Sequence, residues 1–143
     1  MIDQIIKLGR KTVVAMVHVP ALPGSPDYDS TTGMNKILDS VVADLEALQS
    51  GGVDAVMFGN EFDRPYVLTA PPEGLAALAS VIGQVKSMIK IPFGVNYLWD
   101  PVATVALAVA TNASFAREIF TGVYASDMGL WAPDCAGAAR LRS

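Results

Sequence analysis

Four short apolar runs alternate with segments of helical periodicity, and this alternation restricts the fold more than any other feature of the chain. The runs are Thr12 to His18, Val53 to Gly59, Ile91 to Asn96 and Ala116 to Thr121. They read as nearly continuous apolar stretches, the pattern of strands buried on both faces. After the first, Met34, Ile37, Leu38, Val41, Val42, Leu45 and Leu48 recur at helical spacing from Gly33 to Gln49. Gly51-Gly52 stops that helix. A loop with Pro65, Pro71 and Pro72 leads to a second helix, about Glu73 to Ile89, and Pro72 suits its first turn. Asp100-Pro101 reads as an N-cap followed by proline, opening a helix to about Thr111. A long loop, Gly122 to Ala132, follows the fourth run, and Pro133-Asp134 opens one more helix. Ile2, Ile5, Ile6 and Leu8 fit a short amphipathic helix at the start.

Strands alternating with helices imply right-handed crossovers and a parallel sheet. A Rossmann sheet wants a glycine-rich turn after strand one, and no G-x-G-x-x-G stands there. A flavodoxin-like sheet wants about five strands, and only four are read here. A (β/α)₈ barrel takes roughly 200 residues or more. Four βα units in 143 residues amount to half of one. The expected domain is therefore 1–143, a single incomplete barrel of about four βα units with its C-terminal half absent.

Composition narrows the function classes. The chain is 52% hydrophobic and only 17% charged, which excludes a disordered reading. Mean hydropathy is +0.39, which fits strands buried on both faces or surface that wants a partner. Net charge is −4, and lysines and arginines form no basic stripe, which argues against nucleic acid as a partner. Cys135 stands alone, so no internal disulfide is available and a reducing, cytoplasmic setting fits. No apolar run approaches the ~18 residues of a membrane span. Asp3, His18 and Pro20 interrupt what would otherwise imitate a signal peptide.

The stretch VHVPALPGSP, ending strand one at His18, resembles the BtpA/SgcQ family. GGVDAVMFGNEFDRPY from Gly51, IPFGVNYLWDP from Ile91 and FAREIFTGVYASDMGLW from Phe115 agree in order. The likeness is nearest to the SgcQ branch. It runs to about Trp131 and decays through PDCAGAARLRS, so a truncated or frameshifted reading frame is expected. The resemblance implies a (β/α)₈ barrel of ribulose-phosphate-binding type. One branch of the family is linked by name to photosystem I biogenesis, and other members look like enzymes of unknown reaction. It carries over no settled catalytic set.

A barrel places its site at the C-terminal ends of the strands. The residues at those ends are His18, then Asn60 and Glu61, then Asn96 and Asp100, then Thr121, with Tyr124 and Asp127 beyond. His18, the only histidine, is suited to general acid/base work; its bland alternative is a bond to a turn carbonyl. Glu61 is a base beside it, or a loop carboxylate paired with Arg64. Asn60 and Asn96 orient a substrate, or bond their own turns. Asp100 is a binding residue or simply the N-cap. Asp127 and Thr121 are binding candidates. Arg117 and Glu118 are adjacent in strand four and so face opposite ways, and Glu118, sharing a face with Phe120, is the one read as pointing inward. No local metal motif such as H-E-x-x-H occurs, so no metal is assigned, and no cofactor is named by the sequence.

Three functions follow. The full-length barrel is an enzyme acting on a small metabolite, phosphorylated or not, with His18 and Glu61 as its acid/base pair, or it is a non-catalytic factor for photosystem I or membrane-complex biogenesis. Alternatively, the chain alone is a non-functional fragment whose open edges need a homo-oligomer or the missing half.

Overall fold

The computed structural model describes residues 5, 6 and 9–143. The short helix expected around Ile2, Ile5, Ile6 and Leu8 rests largely on residues outside these. Four strands form one sheet: β1 (Val14–His18), β2 (Ala55–Gly59), β3 (Phe93–Asn96) and β4 (Phe115–Ala116). Their order is β1-β2-β3-β4 and every neighbouring pair is parallel. Helices α1 (Gly33–Ser50), α2 (Pro72–Val85) and α3 (Pro101–Thr111) are the crossovers. A 3₁₀ turn, Lys86–Met88, finishes the segment read as one helix to Ile89. This is the arrangement of half a (β/α)₈ barrel.

The helices cover one face of the sheet. Val17, Val56, Phe58, Phe93 and Val95 point into that layer and meet Ile37, Val41 and Leu45 of α1 and Leu78, Val81 and Ile82 of α2. The α1 and α2 residues sit three or four apart, the stripe expected of a core-facing helix. Burying each such side chain stabilises the fold by about 1.5–3 kcal/mol. Helix ends follow the expected chemistry. Asp100 accepts the backbone N–H groups of Val102 and Ala103, at 3.0 and 2.9 Å, and Pro101 follows it. After α1, Gly52 takes the positive φ of 78° that ends the helix.

Alternate strand residues point to the opposite face. Met16, Met57, Gly94 and Phe115 form one register row there. Gly94 is needed in that row, because the Phe115 ring fills the space a Cβ would take. At the N-terminal end of the sheet, the Arg10 guanidinium pairs with the buried Asp54, which also accepts the Val13 N–H at 2.9 Å.

Strand four departs from expectation. It was read as Ala116 to Thr121 but spans only Phe115–Ala116. The Arg117 N–H still reaches the Val95 carbonyl at 3.1 Å. Beyond it, side chains take the backbone groups a ladder would use. Asn96 Nδ2 donates to the Arg117 carbonyl at 2.7 Å, and the Glu118 carboxylate accepts the Ile119 N–H at 2.9 Å. The long loop read from Gly122 to Ala132 contains an antiparallel hairpin, β5 (Tyr124–Ser126) and β6 (Gly129–Trp131). The last helix, α4 (Cys135–Arg142), is N-capped by Asp134 as its sequence suggests.

Candidate functional site

The C-terminal ends of the strands bring His18, Gly59 and Asn96 into one row across the sheet. Gly59, without a Cβ, lets the Met16 methyl approach closely in the middle. A Cβ there would lie 3.8 Å from both Glu61 Oε1 and Asn96 Oδ1, and 3.1 Å from Met16 Cε. Glu61 and Asn96 therefore lean over one small space from adjacent strands. His18 pairs with Gly59 in the strand register, at the outer strand of the sheet.

These groups differ sharply in how they are partnered. Asn96 is almost fully buried and its amide is fully engaged. Its Nδ2 donates to Glu118 Oε2 at 2.7 Å, and Arg117 Nη2 approaches its Oδ1 at 3.4 Å. Burial pushes the Glu118 carboxyl above its ordinary value, against the opposing hydrogen bonds from Ile119 and Asn96 and the nearby Arg117 charge. Glu118 thus meets Asn96, a member of the strand-end row. The premise of opposite strand faces does not hold, because the strand has already ended and Arg117 reaches the same asparagine.

His18 is exposed, and its ring meets the edge of Phe62 with centroids 6.2 Å apart. No hydrogen bond to its imidazole is found among the described residues. It lines an open cavity of about 530 Å³ together with Pro20, Ala21, Asp27, Asp44 and Phe62. The Glu61 carboxylate likewise has no ion pair or hydrogen bond among the described residues. The pairing with Arg64 weighed for it does not form; Arg64 instead lies 6.0 Å over the Phe62 ring. Among the described residues, no three His, Cys, Asp or Glu side chains are placed to hold one metal ion.

Other candidates take structural positions. Asn60 was read as able to orient a substrate, but both ends of its amide are occupied. Its Oδ1 accepts the Leu98 N–H at 2.8 Å and its Nδ2 donates to Asp63 at 3.2 Å. Asp100 uses one oxygen as N-cap and the other to accept the Ala70 N–H at 2.9 Å. Thr121 was placed at a strand end, but it lies five residues past β4, exposed, with its carbonyl accepting the Tyr124 hydroxyl. Asp127 lies at the exposed tip of the hairpin, between Ser126 and Gly129, away from the row of strand ends.

Two features escaped the sequence reading. Asp63 ties three loops together: it accepts the Leu22 N–H at 2.7 Å, the Asn60 amide, and the hydroxyl of the buried Tyr97 at 3.5 Å. Desolvation raises the Asp63 carboxyl above its usual value. Burial and the neighbouring Asp63 charge push the Tyr97 hydroxyl upward as well. The second is a chain of rings. Tyr66, Trp99 and Trp131 contact edge to face at 6.2 and 6.0 Å, and Tyr124 lies 5.7 Å from Trp131. This chain fastens the β5–β6 hairpin to the loops that follow β2 and β3. The NYLWDP stretch held the only hint, two aromatics directly after a strand.

Solved structures with this fold include the dihydropteroate synthase of Vibrio fischeri ES114, with a TM-score of 0.60 and 19% identity. The match covers 80% of this chain and 39% of that one. The Xanthomonas albilineans dihydropteroate synthase with 4-aminobenzoic acid matches at a TM-score of 0.57 and 22% identity, covering 80% and 38%. Both are TIM barrels, so the fold is that of a partial TIM barrel.

In sequence, the chain is 60% identical over 121 residues to the sgc region protein SgcQ of Escherichia coli K12, covering 85% of this chain and 45% of that protein. A Pyrococcus abyssi protein is 38% identical over 125 residues, covering 86% and 48%. The photosystem I biogenesis protein BtpA of Synechocystis is 29% identical over 121 residues, covering 82% and 42%. The chain thus spans less than half the length of these relatives. The BtpA family model matches residues 9–143. With that match over nearly its whole length, the chain belongs to the BtpA family.

Proposed function

We propose that the barrel of which this chain supplies four βα units is an enzyme acting on a small, polar metabolite by general acid/base chemistry. His18 and Glu61 are the proton-transfer pair. One observation carries this reading. At the mouth of the sheet Asn60, Asp63, Asn96 and Asp100 are all engaged by protein hydrogen bonds. His18 and Glu61, by contrast, have no such partner among the described residues. An imidazole and a carboxylate left free at the ends of neighbouring strands are suited to take a proton from one substrate atom and return it to another. Asn96 holds Glu118 and Arg117 at the rim, where they would bind substrate hydroxyl, carbonyl or phosphate oxygens.

The 143 residues are, in this reading, one incomplete barrel domain. The lone, exposed Cys135 supports a cytoplasmic setting. No described helix is long and apolar enough to cross a membrane. A second reading, a non-catalytic factor for photosystem I assembly, is favoured only by the name of the Synechocystis relative. The two separate on substitution in a full-length relative. Replacing the residues aligned with His18 and Glu61 by alanine removes an enzyme's turnover and leaves the melting temperature in place. An assembly factor keeps its phenotype with both replaced.

A further inference from the structure

We propose that Asp63 is the positioning residue of the His18–Glu61 pair: it clasps the turn that carries Glu61 and ties that turn to the loop that follows His18. This rests on the proton-transfer role proposed above for the pair. Glu61 and Phe62 are the two central residues of a four-residue turn, 60–63, closed by the Asp63 N–H on the Asn60 carbonyl at 3.1 Å. Side chains close the same turn a second time, because Asn60 Nδ2 donates to Asp63 Oδ2 at 3.2 Å. The Glu61 carbonyl is held from a third side by the Tyr66 hydroxyl at 2.8 Å. The backbone around Glu61 is therefore fixed, while its carboxylate has no hydrogen-bond partner among the described residues.

The clasped turn is joined to the loops on either side of it. Asp63 Oδ1 accepts the N–H of the buried Leu22 at 2.7 Å. The Val19 N–H bonds the Gly59 carbonyl at 2.9 Å, so two bonds bracket the stretch that leaves β1 directly after His18. The His18 ring itself meets Phe62, which stands between Glu61 and Asp63 in the chain. On the other side the buried Tyr97 hydroxyl reaches Asp63 Oδ2 at 3.5 Å, and Asn60 Oδ1 accepts the Leu98 N–H at 2.8 Å. One carboxylate thus sets the spacing of an imidazole and a second carboxylate that stand at the ends of neighbouring strands. Reacting groups have to be held within about 0.5 Å of their working geometry. A misplacement of about 1 Å costs up to about 10²-fold in rate.

The three partners of the Asp63 carboxylate are all donors: a main-chain N–H, an amide N–H and a hydroxyl. A carboxylate accepts from all three. An asparagine at this position keeps an oxygen for Leu22 but turns its own amide hydrogens toward the Asn60 amide. Asp63→Asn therefore opens the clasp with almost no change of volume. Tyr97→Phe removes a single donor and leaves the clasp between Asn60 and Asp63 closed.

The test uses a full-length family member with the same residues at the positions aligned with 18, 60–63 and 97. The imidazole resonances of the aligned histidine, identified by their loss in His18→Gln, report its place against the Phe62 ring without any substrate. Phe62→Leu marks where they fall when that ring is gone. Asp63→Asn should move them toward the Phe62→Leu positions. Tyr97→Phe should move them the same way by less, and it decides the matter if Asp63→Asn does not fold. Resonances that stay in place overturn the proposal. Turnover gives the second readout, on whichever small hydroxy-, oxo- or phospho-compound the parent protein converts. Asp63→Asn should lower kcat about tenfold to a hundredfold and leave KM within about twofold. Both limbs of the pH profile should remain, because the proton-transfer pair is intact. An unchanged kcat overturns the positioning role. A lost limb overturns it too, since Asp63 would then itself be the acid or base. If the parent converts none of these compounds, or His18→Gln keeps full turnover, the proton-transfer reading fails, and the resonance shift alone still decides whether Asp63 holds His18 in place.

Discussion

Asn96 holds Glu118 from the neighbouring strand end: its Nδ2 donates to Glu118 Oε2 at 2.7 Å and to the Arg117 carbonyl at the same distance. One buried amide therefore sets both the end of β4 and the position of a rim carboxylate. Asn96→Asp removes the donor and sets two carboxylates against each other. It should lower the unfolding free energy by about 2–4 kcal/mol at neutral pH. Urea titration followed by tryptophan fluorescence measures this, and the deficit should shrink toward acid pH as one carboxyl protonates. A loss that is small and independent of pH would show that the amide bond is not made.

Stability should depend on pH through the buried acids. Burial raises the Glu118 and Asp63 carboxyls above their ordinary values of 4.5 and 3.8. A group with a raised folded value binds its proton more tightly in the native state. Between the ordinary and the raised value, stability therefore falls as pH rises. Glu118→Gln removes one of these titrations. Its stability relative to the unsubstituted chain should improve steadily as pH is raised from 4.5 through that window. Parallel denaturation series at several pH values test it, and a gap that narrows with rising pH would reverse the assigned sign.

Asp63 joins the loops after β1, β2 and β3 through Leu22, Asn60 and Tyr97. Asp63→Ala leaves the Leu22 N–H and the Asn60 amide without their acceptor, at a cost of about 1–3 kcal/mol. The effect should spread beyond stability. Hydrogen exchange should rise at Leu22 and Leu98, whose amides depend on this network directly or through Asn60. Unchanged protection at both would mean that the loops hold without it.

Trp131 is the link between the β5–β6 hairpin and Trp99. Trp131→Ala should free the hairpin and speed exchange of its backbone amides, while β1 to β3 keep their protection. Loss of protection throughout the sheet would show that these rings support the whole domain.

The elements most legible in the sequence were those whose pattern is set by burial. β1, β2 and β3 lie within the apolar runs, and α1 and α3 begin at their glycine and proline signals. The site was partly legible for the same reason. Parallel strands deliver their last residues to one mouth, so His18 and Asn96 fall in one row. What was hidden depends on contacts distant in sequence. Strand four ends early because Asn96, 21 residues before Arg117, takes its carbonyl. Asn60 looked free because the Leu98 N–H that occupies it comes from 38 residues away. Asp63 looked like one loop acid among several, since neither Leu22 nor Tyr97 is its neighbour in the chain. The hairpin had a local signal, Ser126-Asp127-Met128-Gly129 between short apolar pairs, and Gly129 takes a φ of 99° there.

Proton exchange between a substrate and the pair His18 and Glu61 is the step on which the proposed function rests. Its most direct measurement uses a full-length family member carrying histidine and glutamate at the aligned positions. The protein is incubated in deuterium oxide with a panel of small hydroxy-, oxo- and phospho-metabolites, and exchange or conversion is followed by proton NMR. At least one compound should be turned over, and replacing either residue should cut that turnover by about 10²–10⁴ with the melting temperature unchanged. Turnover that persists with both residues replaced would contradict it.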